Sequence, residues 1–167
     1  MIKEKIVLIK IAMILVMLSA SGNSQQKRAK EISPPEAFEL LQNQSVYLID
    51  VRSVAEYVFV GHPEMAYNIP FEFWDENKQK LVLNKRFIKD IKARFKPSDT
   101  LIFICRSGGR SSKAAESALR AGFNQVFSIK EGFEGDIDDE GFRRLNGWKI
   151  RGLPSTYELN EKLVYKR

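Results

Sequence analysis

Thr100-Leu101-Ile102-Phe103-Ile104 is an unbroken apolar, β-prone run that passes directly into the loop Cys105-Arg106-Ser107-Gly108-Gly109-Arg110. Beyond it, Ala114, Ala115, Ala118 and Leu119 recur at helical spacing, and Gly122 can end the helix. A short apolar run of this kind fits a strand covered on both faces, the usual state of strands in a parallel sheet. The chain around residues 100–122 therefore predicts a strand, a tight loop and a helix in immediate succession.

The rest of the chain extends this pattern. Val46-Tyr47-Leu48-Ile49, closing at Asp50, reads as a second buried strand, Gln125 to Ile129 as another, and Ala66 to Ile69 as a brief one. Ser33-Pro34-Pro35-Glu36 carries a cap residue, prolines suited to a first turn and an acid near the positive helix end, so a short helix is expected there. Val51 to Val60 predicts a further short helix, on which Arg52 and Glu56 stand as i,i+4 neighbours able to pair. Phe87, Ile88, Ile91 and Phe95 form the apolar face of an amphipathic helix that ends at Pro97. Strands alternating with helices give an α/β fold, a central mainly parallel sheet with helices on both faces. Ligand sites in such sheets lie at the carboxyl ends of the strands, where Cys105 stands.

A length of 167 residues with 44% apolar content suits one domain with one sizeable core. The net charge of +6 is partly carried by Lys3, Lys5 and Lys10, and the remaining basic residues are interspersed with acids. No basic stripe with interleaved aromatics is present, which argues against a nucleic-acid partner and leaves small anions open. Lys3 and Lys5 are followed by the apolar stretch Ile11 to Leu18 and by Ser19, Ala20, Ser21 and Gly22, so residues 1–22 read as an export signal. The apolar stretch is shorter than the roughly 20 residues of a spanning helix. The expectation is an exported, periplasmic protein, with tethering by an uncleaved signal as the alternative. Residues 23–30 then form a short polar tether, 31–154 the folded domain and 155–167 a C-terminal extension. Cys105 is the single cysteine, so no disulfide can form within the chain and its core must hold the fold together.

At the start of a helix, exposed backbone N–H groups and the positive helix end favour an anion, and a cysteine thiolate there benefits directly. Gly108 and Gly109 let the backbone curl around the sulfur without a Cβ, while Arg106 and Arg110 add positive charge.

Here the chain resembles the rhodanese family. Cys105-Arg106-Ser107-Gly108-Gly109-Arg110-Ser111 matches the active loop of its single-domain members. Asp50-Val51-Arg52 with Glu56 is similar to the family's D-x-R-x-x-x-E segment, and Gly61-His62 through Asn68-Ile69-Pro70 to its G-H…N-I-P segment. Glu131-Gly132-Phe133, Gly147-Trp148 and Gly152-Leu153-Pro154 resemble the stretch that closes the domain. The resemblance implies a rhodanese-like fold and a sulfurtransferase in which Cys105 carries sulfur as a persulfide. It implies a loop of residues 106 to 110 that cradles the sulfur, with Arg106 and Arg110 toward a small anionic donor such as thiosulfate. It further implies cyanide or a thiol, a protein thiol included, as acceptor, and no cofactor or metal is expected. Asp50, Arg52, Glu56 and Ser111 are expected to support the site structurally. The chain departs from the family at Pro63-Glu64-Met65 and in the longer segment from Asp136 to Gly147.

A cysteine–histidine hydrolase would have to use His62, the single histidine, which stands before Pro63 in a loop. Asp136, Asp138 and Glu140 have some calcium-loop spacing, but Gly147 stands where the closing acid would be, so a solvated acidic turn is preferred. Phosphatases of related fold use a larger loop than the four residues between Cys105 and Arg110 allow. A non-enzymatic sulfur-binding or redox-sensing module is the main alternative function. Phe71, Phe73 and Trp74 fit either a pocket rim or core packing.

Overall fold

Parallel pairing of the two apolar runs fixes the architecture. The computed structural model describes residues 28–166; the export segment expected at residues 1–22, and the start of the tether, lie outside these residues. In chain order the elements are β1 (Lys30–Ile32), α1 (Pro34–Leu40), β2 (Val46–Asp50), α2 (Val54–Phe59), β3 (His62–Pro63), β4 (Tyr67–Asn68), β5 (Glu72–Asp75) and β6 (Lys80–Leu83). They continue with α3 (Phe87–Arg94), β7 (Thr100–Ile104), α4 (Gly109–Arg120), β8 (Gln125–Ile129) and β9 (Ser155–Thr156). The main sheet has five strands in the order β1-β8-β7-β2-β4, all paired in parallel.

β7 lies at the centre, in register with β2 from Val46↔Thr100 to Asp50↔Ile104. That flush register brings Val51 and Cys105 out at the same edge, where the Val51 amide donates to the Ile104 carbonyl at 2.9 Å. Alternate residues of the central strands enter different cores, as the two-residue side-chain period requires. Ile49, Leu101 and Phe103 pack with Phe87 and Ile91 of α3 and with the alanines of α4. Leu48, Ile102 and Ile104 pack with Ala37 of α1, Tyr57 of α2 and Trp148. The fold is thus the expected α/β sheet with helices on both faces, and the helix over 87–94 falls where its periodicity put it.

The helix predicted within Val51–Val60 starts later, at Val54. Ser53 caps it, with its hydroxyl accepting from the Glu56 amide and the Glu56 carboxylate accepting from the Ser53 amide. The reciprocal capping fixes Glu56 on the first turn and leaves Arg52 outside the helix, so the expected Arg52–Glu56 pair does not form.

The boundaries also move. Ala29 packs on the core and Lys30 opens β1, so the end of the expected tether belongs to the fold. Residues 155–166 do not form a detached extension. β9 pairs antiparallel with β3, the Asn68 amide donates to the Leu163 carbonyl at 2.8 Å, and Tyr165 joins the core while its hydroxyl donates to Asp90 at 2.7 Å. The antiparallel hairpin β5–β6 has no counterpart in the sequence reading. Phe71 beneath it is core, packing edge-on against Phe87, whereas Trp74 on the hairpin is 59% exposed.

Replacing Tyr165 with Ala removes a buried ring and a hydrogen bond to α3, and large-to-small core changes of this kind cost about 3 kcal/mol. Urea denaturation is expected to show that loss in full, whereas a detached extension would show none.

Candidate active site

Cys105 leaves the end of β7 and is 2% exposed. The chain then turns through Gly108, whose φ of 97° is in the left-handed region, and starts α4 at Gly109. This turn aims the Gly108 amide back at the sulfur, 3.2 Å from Sγ, and the Ser111 hydroxyl lies 3.4 Å from the same atom. An amide donor on the sulfur and a hydroxyl within reach of it, at the N-terminus of a helix, make a site suited to negative charge on that sulfur.

The two glycines of the loop are not equivalent. A Cβ on Gly108 would lie 2.2 Å from the Lys130 carbonyl oxygen, so that position excludes any side chain. A Cβ on Gly109 would meet nothing within 4 Å, so the expectation that both glycines avoid a clash is corrected to Gly108 alone.

A second loop, after β8, holds the first. The amide of Phe133 donates to the Cys105 carbonyl at 2.7 Å, and those of Glu134 and Gly135 to the Arg106 carbonyl at 3.0 and 3.2 Å. Gly132, with φ of 65°, packs so closely that a Cβ would sit 2.5 Å from the backbone of Arg106 and Ser107. In the sequence Glu131-Gly132-Phe133 stands out only as part of the closing stretch; a glycine three residues past the buried strand that ends at Ile129 is the local signal for close backbone approach.

The charged residues sort into two pairs. Arg52 is fully buried, donates to the Asp50 carboxylate from Nε at 3.0 Å and from Nη2 at 2.6 Å, and to the Gly61 carbonyl at 2.7 Å. Its guanidinium also lies 4.4 Å over the Phe133 ring. Burial works against its charge, but Asp50, with Glu56 and Glu134 farther out, outweighs that and raises its pKa. Glu56 instead pairs with the loop: Arg110 reaches it with both Nη atoms, at 2.8 and 2.5 Å. Burial raises the Glu56 pKa, yet the Arg110 contacts and the Ser53 cap overcome it and hold the carboxyl at about 2. Arg110 is therefore engaged by Glu56, while Arg106 is exposed at the loop.

The remaining candidates serve the fold. His62 is buried, stacks on Tyr57 at 3.6 Å and has Nδ1 3.0 Å from the Tyr57 carbonyl; burial lowers its pKa. Asp138 accepts from the amides of Glu140 and Phe142 and from Arg144, which makes the 136–147 segment a self-bonded turn.

The family model described as a Rhodanese-like domain matches residues 33–138. The chain belongs to the rhodanese-like family. An uncharacterised protein of Rickettsia conorii is 31% identical over 133 residues, covering 75% of this chain and 95% of its own. A rhodanese-like relative with a named activity, the thiosulfate sulfurtransferase GlpE of Actinobacillus pleuropneumoniae, is 29% identical over 124 residues, covering 74% and 90%. Among solved structures, Rv0390 from M. tuberculosis superposes with a TM-score of 0.69 at 34% identity, over 79% of this chain and all of its own. The polysulfide-sulfur transferase homodimer of Wolinella succinogenes shares the rhodanese-like fold at a TM-score of 0.54 and 20% identity, over 77% of this chain and 78% of its own. The family match and the GlpE relative support a sulfurtransferase family.

The Glu56–Arg110 pair carries a pH signature. Because the folded pKa of about 2 lies below the ordinary 4.5 of a glutamate, the pair stabilises fully above 4.5, and the contribution is lost as pH falls through 2. The wild-type protein is expected to exceed a Glu56→Gln variant in stability at pH 7, with the gap narrowing through pH 4 and closing near pH 2 in denaturant titrations.

Proposed function

We propose that the protein is a sulfurtransferase that carries a sulfane sulfur on Cys105 as a persulfide. The observation that carries the reading is the convergence of the Gly108 amide and the Ser111 hydroxyl on Sγ. The named activity of the GlpE relatives supports thiosulfate as donor. In the first step the Cys105 thiolate attacks the sulfane sulfur, the S–S bond of thiosulfate breaks, and sulfite leaves with the electron pair. In the second, cyanide or a thiolate attacks the outer sulfur, the Sγ–S bond breaks, and its electron pair returns to Sγ as thiolate. Splitting one transfer in two in this way is the advantage of a covalent carrier. Because Arg110 is held by Glu56, Arg106 is the loop cation assigned to the donor's oxygens. The apolar N-terminal segment supports a periplasmic setting for this activity.

The test is thiosulfate-to-cyanide transfer by the purified protein, with mass spectrometry for the added sulfur. Both turnover and the added mass are expected to disappear in Cys105→Ser. Loading without turnover would favour a sulfur-binding or redox-sensing module, and neither signal across several donors would rule the proposal out. Arg106→Ala should raise KM for thiosulfate about tenfold, the scale of one charge-assisted hydrogen bond, with the fold intact. An unchanged KM would remove Arg106 from the donor site.

A further inference from the structure

Ser128 is fully buried on β8, next to Phe127 and Ile129 and beneath α4. A buried hydroxyl is unfavourable unless it is hydrogen-bonded, so its partner indicates what it is for. Ser128 donates to the hydroxyl of Ser111 at 3.0 Å, and Ser111, on the first turn of α4, is fully buried as well. The Ser111 oxygen in turn lies 2.8 Å from the Gly108 carbonyl and 3.4 Å from Cys105 Sγ.

A serine hydroxyl has one hydrogen to give. With Ser128 donating into its oxygen, Ser111 has two acceptors for that hydrogen, the Gly108 carbonyl and the sulfur. The Gly108 carbonyl already accepts from the Ser112 amide at 3.0 Å. The Ser111 hydrogen can therefore turn to sulfur without leaving a buried carbonyl unpaired. The bond from Ser128 also polarises the Ser111 O–H, which makes it a better donor.

We infer that Ser128 and Ser111 form a hydroxyl pair that delivers a hydrogen bond to Cys105 Sγ whenever negative charge develops there, with Ser128 as the positioning residue. The inference rests on Cys105 being the sulfur carrier. During discharge the acceptor's lone pair bonds to the outer sulfur, the Sγ–S bond breaks, and its electron pair becomes charge on Sγ. The Ser111 hydrogen swings from the Gly108 carbonyl to meet that charge, and no proton changes owner. When a new sulfur is loaded, charge moves outward from Sγ and the hydrogen swings back.

The test compares Ser128→Ala, Ser111→Ala, the double variant and Ser128→Thr, which keeps the hydroxyl. The first readout is the pH–rate profile of Cys105 alkylation by iodoacetamide, which involves no sulfur transfer. The second is single-turnover discharge of preloaded protein to cyanide. Ser128→Ala and Ser111→Ala are each expected to displace the alkylation profile to higher pH and to slow discharge roughly three- to tenfold, the scale of one hydrogen bond. The double variant should be no worse than the poorer single one, because both changes remove the same interaction. Ser128→Thr should restore the profile. An unchanged alkylation profile in both alanine variants, or additive losses in the double one, overturns the inference. If Ser128→Ala folds poorly, Ser111→Ala carries the same comparison. A protein that never loads sulfur but shows the displaced profile would remove the sulfurtransferase reading and leave the hydroxyl pair standing.

Discussion

The amides of Phe133, Glu134 and Gly135 converge on the carbonyls of Cys105 and Arg106, and everything at the site depends on that backbone clamp. A loop that turns the Gly108 amide onto a sulfur cannot also use that amide on itself, so its shape has to be imposed from outside. β8 supplies the imposition, because it pairs with β7 and its exit loop runs directly under the cysteine loop. Gly108 and Gly132 are the positions where the two loops approach too closely for a Cβ. The hydrophobic layers on either side of the sheet matter to the site chiefly because they keep β7 and β8 in register.

Electrostatics reinforces the same geometry. Arg52 is buried with Asp50 under the second loop, its guanidinium against Phe133, so one charged pair braces the clamp from below. Glu56 and Arg110 brace the far end of the cysteine loop from α2. Removing one member of such a pair would leave a partly buried charge without its partner, which is far more costly than losing the pair as a unit. Of the two arginines in the loop, Arg110 is thus part of the framework and Arg106 faces outward.

The elements that were legible in the sequence are those written in local pattern. Thr100 to Ile104 and Val46 to Asp50 announce buried strands by composition, and Phe87 to Phe95 announces a helix by spacing. The cysteine loop stood out because its residue types and its position after a strand agree. What was not legible depends on partners distant in the chain. Arg52 and Glu56 are four residues apart, but the Ser53 cap separates them, and each finds its true partner through tertiary packing. That cap was visible in Ser53-Val54-Ala55-Glu56 as a capping box and would have displaced the i,i+4 pairing. Ser128 carried no local signal, since one serine in an apolar strand acquires meaning only from what it faces. The segment after Pro154 joins the fold through the two-residue β9 and through contacts of Leu163 and Tyr165, too short and too scattered to show a periodicity.

Cys105 is buried, and it is the chain's single cysteine. In the proposed cycle this means that a sulfur held on it has no second thiol in the chain to which it can pass. Dithiol proteins reset themselves by an internal exchange whose rate is their own property. Here each release is a collision with an outside molecule, so the lifetime of the loaded state is set by the concentration of acceptors and by how well they reach a nearly enclosed sulfur. The protein would hold its cargo as a reservoir, emptied at a pace dictated by its surroundings.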